Sequence, residues 1–294
     1  MKGSRNSCLL LCLLFTAGWP CRAQQQPAAP QAPNAVPASE NPQPPPLPPK
    51  PPEVLLQDEG TISIAVTAWL PNGHPAFDAG RATISTIPSH IKFQGNDKLG
   101  RGLIASVPAG AHNALRFSYF DTQAAGNFTS TTNLNPWNTF FNSGDYMATY
   151  YRLRDFKMSF DFLTWPYPTA RRRFRLKTLW QVQYVKLDST FNAPVSIIDT
   201  TAATGSKSII LPTLGLGVTQ YLNNFVRVEA NASGFAIPHH SSLGDVDGDI
   251  AFKFGRIEVR AGARFFHFKT SAAGDFYMKG NLAGGFGGIR LYLR

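Results

Sequence analysis

Charged side chains and long apolar runs are both scarce in this sequence of 294 residues. Only 16% of the residues are charged, against about 25% in an average soluble domain. No apolar run approaches the roughly 20 residues of a transmembrane helix, which excludes a helical membrane protein. Aromatic residues make up 12% of the chain and include 22 phenylalanines. This aromatic content excludes a chain that is disordered throughout.

Cysteine is almost absent, and its three copies all lie within the first 21 residues. The same segment has a basic start, an apolar stretch over 8–15, and Ala23 before Gln24. A basic start, a short apolar core and a small residue at the cleavage position are typical of a secretory signal peptide. We therefore predict a signal peptide over residues 1–23, cleaved between Ala23 and Gln24.

Removal of this peptide changes the chemistry that is available to the chain. It takes away every cysteine and three basic residues, so the formal charge falls from +10 to +7. An exported chain without cysteine holds no disulfide and no thiolate metal site. We predict no metal, no cofactor and no nucleic-acid partner, and the sequence does not indicate an oligomeric state.

Proline dominates the segment that follows the signal peptide, with 12 copies between residues 27 and 52. Proline fixes φ and has no N–H to donate, so such a segment favours extended polyproline II over a helix or sheet. Residues 24–53 are therefore predicted to be a disordered periplasmic linker. Two interpretations stay open, a solvated tether and a docking arm for the cell wall or another protein.

From Thr61 onward, apolar and polar residues alternate with the period of two that is typical of β-strands. In the first segment, Ile62, Ile64 and Val66 alternate with Ser63 and Ala65. The same alternation recurs in 113–121, 156–164, 173–184, 226–232, 249–254 and 257–265. One face is apolar and often aromatic and the other is polar or charged, as in strands that cross a membrane with lipid on one side.

The connections between these segments predict a closed barrel. Three are very short (108–112, 222–224 and 255–256) and three are long (71–98, 123–142 and 188–206). Tight turns at one end and long loops at the other are typical of outer-membrane barrels, and lipid leaves no sheet edge unpaired. With both termini at the turn end, ten strands fit, near 60–70, 98–107, 113–123, 142–165, 172–187, 207–220, 223–235, 246–255, 256–269 and 274–294.

Residues 54–294 are therefore predicted to be all-β, a closed antiparallel transmembrane up-and-down β-barrel of about ten strands, with 8 or 12 as alternatives. Segment 142–165 is long enough for two strands that turn at Arg154 and Asp155. A single long strand with a bulge keeps the 188–206 loop at the outer end, and we prefer it. Pro212 lies inside a predicted strand, where proline is disfavoured.

The signal peptide, the alternating stretch 152–184 and the C-terminal strand Tyr277–Arg294 together resemble the small outer-membrane β-barrel proteins of Gram-negative-type bacteria. The resemblance implies a location in the outer membrane, contact with outer-membrane lipids, and insertion by the barrel-assembly machinery. Family members usually end in an aromatic residue that this machinery reads. This chain ends in Arg294 instead.

Strand phase predicts a charge network that lines the lumen. Its members are Arg116, Lys157, Asp161, Arg173, Arg175, Lys177, Arg227, Glu229, Asp249, Lys253, Glu258, Arg260 and Arg264, with Lys279 and Arg290 added from the last strand. Eleven bases then face four acids. The lumen is either filled by ion pairs, or it is a water-filled narrow channel whose positive potential prefers anions. The predicted function is accordingly a structural or narrow-channel outer-membrane protein without catalytic residues.

A single cluster supports an enzymatic alternative, a lipid hydrolase or protease that acts at the outer rim through the 239–249 loop. It contains His239 and His240, followed by Asp245, Asp247 and Asp249. Histidine with aspartate can activate water or bind a metal. The alternate aspartates resemble a calcium loop, but the required Gly and Glu are missing from the later positions.

Overall fold

The computed structural model describes residues 61–83, 90–110, 113–165, 174–194 and 201–293. The predictions for the signal peptide, for the cleavage between Ala23 and Gln24 and for the proline-rich linker lie outside the described residues, as does the lumen prediction for Arg173. The described chain contains no helix that is long and apolar enough to cross a membrane.

Ten long antiparallel strands form one closed sheet, which confirms the predicted barrel and its strand number. Within the described parts of the connections lie three short strands and one 3-10 turn. The elements are β1 (Ile62–Asn72), β2 (Ala76–Ala79), β3 (Ile91–Lys92), β4 (Asn96–Asp97), β5 (Gly100–Pro108), β6 (Ala114–Thr129), the 3-10 turn Pro136–Asn138, β7 (Tyr146–Trp165), β8 (Phe174–Ala193), β9 (Thr201–Tyr221), β10 (Val226–Ala236), β11 (Ser242–Phe254), β12 (Ile257–Lys269) and β13 (Phe276–Leu293).

Closure is made by the first and last strands. β1 pairs with β13 from Ile62 opposite Leu293 to Asn72 opposite Ala283, and each remaining long strand pairs with its neighbours along the chain. Both strand ends Ile62 and Leu293 thus lie at the end of the barrel that carries the tight turns, hereafter the turn end. Gly255, at one of these turns, has φ +62°, a conformation that favours glycine.

The segment 142–165 holds one long strand, as preferred above, and its register has one irregularity. Arg154 continues the register without a break, opposite Asp121 on one side and Lys186 on the other. The register shifts between Leu163 and Trp165, close to the turn end. The preferred single strand, rather than two strands that turn at Arg154 and Asp155, is therefore confirmed, and it carries a register irregularity.

Pro212 does lie within a strand, and the pairing explains why it is tolerated. β9 pairs with β8 along its whole length, whereas β10 joins β9 only from Leu214 onward. One edge of β9 has no partner strand at Pro212, and such edges accept a residue without an N–H.

β7, β8 and β9 are 20, 20 and 21 residues long. Together with β6, whose last residue Thr129 pairs with Tyr146 at the start of β7, they extend far toward the opposite end of the barrel, hereafter the loop end. About 9–11 residues suffice for a strand to cross a bilayer. Much of the segment predicted as the 188–206 loop is therefore strand. Only residues 194–200 separate β8 from β9.

The two faces of these long strands exchange polarity part-way along. Near the turn end, β7 points Phe156 and Phe160 outward and Asp161 inward. Near the loop end, the same strand points Arg152 outward and Leu153 inward. β8 behaves alike, with Trp180 exposed in one half and Leu187 fully buried in the other. The barrel thus has a charged interior at the turn end and an apolar interior at the loop end.

The apolar interior is completed by residues that the loop-end connections carry inward, and we call this assembly the aromatic cap. Phe77 of β2 and Phe93 each lie 5.4 Å, between ring centroids, from Phe191 of β8. Trp137 packs 5.0 Å from Phe77. The cap consists chiefly of Phe77, Ile91, Phe93, Leu134, Phe141, Met147, Tyr151, Leu187, Phe191, Phe268, Phe276 and Met278.

The aromatic cap predicts that alanine substitution at two adjacent positions of β8 lowers the free energy of unfolding by very different amounts. Phe191→Ala removes a fully buried ring, and we expect a loss of about 3–5 kcal/mol in the free energy of unfolding. Thr190→Ala, on the outward face, is expected to change it by less than about 0.5 kcal/mol. Urea unfolding of the detergent-solubilised protein measures both variants, and equal losses would contradict the assignment of the two faces.

Candidate functional site

The charged section of the lumen lies between the turn end and the aromatic cap, and we call it the charged lumen. The period of two turns every second side chain of each strand inward. The structure places Arg116, Lys157, Asp161, Arg175, Lys177, Arg227, Glu229, Asp249, Lys253, Glu258, Arg260, Arg264 and Arg290 on inward-facing positions. What these side chains contact determines what the lumen can do.

Next to the aromatic cap, Arg264 joins opposite walls of the barrel. Its guanidinium donates to Asp245 at 2.8 and 2.9 Å, and to Asp155 across the lumen at 3.0 Å. Lys157 donates to Asp245 at 2.6 Å. β12, which carries Arg264, and β7, which carries Asp155, are five strands apart around the ten-stranded wall. The bond between them spans the full width of the lumen.

A second crossing lies nearer the middle of the barrel. The guanidinium of Arg116 on β6 lies 2.7 Å from the carboxylate of Asp161 on β7 and 3.4 Å from that of Glu229 on β10. The amide of Asn231 donates to Glu229 at 3.1 Å and to Asp247 at 3.0 Å. Charge-assisted hydrogen bonds therefore run continuously from wall to wall at this level.

At the turn end, Glu258 is the common acceptor. It receives Arg227 at 2.7 Å and the hydroxyl of Tyr292 at 2.8 Å, and Arg290 lies 3.3 Å away. Arg260 bonds to Asp249. Several donors that share one buried carboxylate replace the hydrogen bonds that it would make with water.

The bases of the charged lumen also lie against aromatic rings. The guanidinium of Arg264 lies 4.1 Å from the ring centroid of Phe120, at the boundary with the aromatic cap. Lys253 lies 4.3 Å from the ring of Tyr292, and Arg175 lies 5.3 Å from the ring of Tyr221. A cation over an aromatic face gains about 0.5–2 kcal/mol. These contacts compensate in part for the removal of the charges from bulk water.

The predicted excess of bases is too large, because the sequence analysis missed three inward acids and placed one outward base in the lumen. Asp155, Asp245 and Asp247 all face the lumen. Asp155 alternates in step with Lys157 on β7, and Asp245 and Asp247 alternate in step with Asp249 on β11. This spacing in the sequence was the signal that identifies them as inward-facing. Lys279 faces outward at the loop end, where it lies 3.2 Å from Asp78. Within the described residues, nine bases then face seven acids, so the charged lumen is nearly balanced.

A small cavity remains between the side chains of the charged lumen. Its volume is about 50 Å³, and Arg116, Lys157, Asp245, Asp247 and Arg264 are among the residues that line it. A water molecule needs roughly 10–15 Å³ of such space and two to four polar partners. The cavity is thus large enough for a few water molecules and too small for a larger solute.

A buried polar pair ties a loop-end connection to the wall. The hydroxyl of Tyr151 donates to Asp97 of β4, which also accepts the backbone N–H of Gly73 at 2.9 Å. Burial raises the pKa of the Asp97 carboxyl above its ordinary value, although both hydrogen bonds oppose this change. The pair anchors the connection that carries Phe93 into the aromatic cap.

The 239–249 segment does not assemble as a single site. His239 lies in the connection between β10 and β11, where its Nδ1 accepts a hydrogen bond of 2.9 Å from Arg81. Asp245, Asp247 and Asp249 face the lumen, and each has a partner named above. Within the described part of the chain, no group of three histidine, cysteine or acidic side chains is arranged to hold a metal ion.

Comparison with known proteins identifies the fold. No protein-family model matches the chain, and no curated protein matches its sequence. The outer-membrane protease OmpT from Escherichia coli matches with a TM-score of 0.54 at 8% identity, over 80% of this chain and 98% of that chain. The chain therefore has the fold of a bacterial outer-membrane β-barrel protein.

Two further solved structures match more weakly. Ail, the attachment invasion locus protein of Yersinia pestis, in complex with the heparin analogue sucrose octasulfate, has a TM-score of 0.35 at 12% identity, over 79% of this chain and 99% of that chain. The translocator domain of the autotransporter NalP from Neisseria meningitidis has a TM-score of 0.39 at 12% identity, over 78% of this chain and 89% of that chain.

The lumen-crossing contacts predict that two Arg–Asp pairs contribute unequally to the free energy of unfolding. Arg264→Ala leaves Asp155 and Asp245 buried without their shared base, and we expect a loss of about 3–5 kcal/mol in the free energy of unfolding. Arg152→Ala breaks a pair with Asp121 on the outer face, where the Arg152 side chain is 41% exposed, and we expect less than about 1 kcal/mol. Unfolding midpoints in detergent measure the difference, and a smaller loss for Arg264→Ala than for Arg152→Ala would refute the structural role of the crossing.

Proposed function

We propose that this chain is a bacterial outer-membrane barrel with a closed lumen, which supports a rigid extracellular platform rather than a channel. The observation that carries the proposal is the double closure of the interior. Ion pairs cross the charged lumen at two levels, and the aromatic cap fills the loop end above them. The charged side chains inside the barrel then occupy the lumen and connect its opposite walls.

The outward face supports the location in the membrane. Large apolar side chains stand exposed around the turn-end half, among them Val66 at 63%, Trp180 at 58% and Ile210 at 68%. Exposed apolar patches of this extent are rare on soluble monomers and mark a surface that meets lipid or protein. Strands of alternating polarity with their apolar side outward fit a bilayer. The barrel-assembly machinery and outer-membrane lipids are the partners that this location implies.

The outward face of the loop-end half supports the platform. Polar and charged side chains cover it, including Arg152, Arg154, Lys186 and Asp188, and Arg152 is bound to Asp121. Three paired strands over the apolar cap hold this surface rigid, and rigid elements position binding groups better than mobile loops do. The platform is therefore suited to contact other molecules outside the cell.

A narrow, anion-preferring channel is the second candidate. The surplus of two bases in the charged lumen and the cavity of about 50 Å³ favour it. Conduction through the barrel then requires the aromatic cap and the crossing ion pairs to separate. The closed-barrel proposal needs no such rearrangement.

Conductance decides between the two candidates. Purified protein in a planar bilayer under a salt gradient is expected to pass no steady current, because the crossings and the cap close the lumen. A current with a reversal potential for anions would overturn the closed-barrel proposal in favour of the channel. A cation-selective current would contradict both candidates.

The location is tested separately. We expect the native protein to fractionate with the outer membrane, to migrate differently on gels before and after boiling, and to give a mainly β circular dichroism spectrum. A soluble protein with no boiling-dependent shift would overturn the proposed location. The conductance result would then have no bearing on function.

A further inference from the structure

Three polar side chains on the outer surface of β11, β12 and β13 form a chain of hydrogen bonds. Oγ of Ser242 lies 3.1 Å from Nε2 of His267, and Nδ1 of His267 lies 2.6 Å from Oδ1 of Asn281. The amide oxygen only accepts, so the neutral ring carries its proton on Nδ1 and donates it to Asn281. Nε2 is then left with a lone pair directed at the Ser242 hydroxyl.

Strand register brings these residues together from positions far apart in the sequence. Gly244 lies opposite His267, and His267 lies opposite Asn281. Ser242 is two residues before Gly244 and shares its outward face. The three side chains therefore meet on the exterior of the barrel, outside the charged lumen.

The cluster lies at the boundary of the apolar outer face. Toward the turn end, the outward positions that follow the row of Gly244, His267 and Asn281 are Val246 on β11, Phe265 on β12 and Ala283 on β13. The outward positions beyond the cluster, toward the loop end, hold Lys269, Lys279 and Tyr277. In the proposed membrane orientation, this boundary is the outer-leaflet interface, where the ester bonds of lipids lie.

We propose that Ser242, His267 and Asn281 form a serine hydrolase site for acyl esters of membrane lipids. A nucleophile within hydrogen-bond reach of a base, which a third group orients, is the diagnostic arrangement for nucleophilic catalysis. Ser242 and His267 are the catalytic residues, and Asn281 is a positioning residue. The inference goes beyond the closed-barrel proposal, because a surface site needs no open lumen.

The reaction balances with water as the only co-reactant. Oγ of Ser242 attacks the ester carbonyl carbon while its proton passes to Nε2 of His267. The bond from that carbon to the alcohol oxygen then breaks, and His267 gives the proton to the departing oxygen. Water attacks the acyl-serine through the same base, the bond from the acyl carbon to Oγ breaks, and the proton returns to Ser242 as the fatty acid leaves.

Two neighbouring features suit an acidic, acylated substrate. Lys269 lies directly opposite Ser242 in the register, and its Nζ is 5.5 Å from the ring of Tyr277. The Lys269 ammonium, which lies over Tyr277 on the loop-end side of the cluster, is placed to attract an anionic headgroup. The apolar strip that begins at Val246 and Phe265 accommodates the acyl chain.

The cluster also revises the enzymatic alternative drawn from the sequence. That hypothesis placed the site in the 239–249 loop and relied on His239 and His240. Ser242 does belong to that segment, but its base and its positioning residue come from the next two strands. The two versions differ in which histidine is required.

The test uses the full-length protein in mixed micelles of dioleoyl phosphatidylethanolamine and detergent, with a fluorophosphonate probe as a second readout. We expect the wild-type protein to release fatty acid and to bind the probe. Ser242→Ala abolishes both activities, and His267→Ala lowers hydrolysis by about 10²–10⁴-fold. Ser241→Ala, at the adjacent serine, and the His239→Ala/His240→Ala double variant leave both activities intact.

The Asn281→Ala variant tests whether Asn281 orients His267 for catalysis or only supports the fold. Because Asn281 touches His267 and not the proposed ester, we expect kcat to fall while KM stays unchanged, with recovery in Asn281→Asp. The boiling-dependent gel shift verifies that each variant is folded. A folded wild-type protein without hydrolysis or labelling, or a Ser242→Ala variant that keeps either, would overturn the proposal. Neither result depends on the conductance of the barrel.

Discussion

The pairing of β1 with β13 is the constraint on which the rest of the structure depends. A sheet with lipid on its outside leaves no backbone N–H or C=O unpaired, so the wall closes on itself. Closure fixes the register of every strand, and with a period of two it also fixes which residues face inward. A slip of one residue in β12 alone would turn Arg260 and Arg264 toward lipid and Val259 into the lumen.

Closure has an electrostatic consequence. Inward charges are removed from bulk water, and a buried charge is tolerated when it is paired and hydrogen-bonded. The pairs that form are not all between neighbouring strands, since Arg264 reaches Asp155 and Arg116 reaches Glu229 across the interior. The contacts that neutralise the lumen also tie opposite walls together and fill the space that a solute would need. A buried ion pair is weak evidence for net stability, so the role we assign to these pairs is closure.

The alternation of residue types was sufficient to predict the barrel, the number of strands and the single long strand β7. It failed where the environment of a strand changes along its length. The predicted 188–206 loop began at Asp188, yet Asp188 and the residues up to Ala193 continue β8 beyond the level of lipid contact. Lys279 and Arg290 are eleven positions apart, so an unbroken strand turns them to opposite faces. The Ser242, His267 and Asn281 cluster was beyond prediction, because only the register of three strands brings its members together.

The same alternation also separates two kinds of polar group. Inside the barrel, carboxylates such as Asp245 and Glu258 are bound by several donors and are committed to holding the walls. Outside it, Ser242 and His267 are half-buried, touch each other and remain accessible from the lipid surface. A catalytic group needs such access and also a fixed position, and the closed, ion-paired wall behind β11, β12 and β13 supplies that rigidity. A filled lumen and the polar cluster proposed as a catalytic site on the exterior are thus two results of one strand pattern.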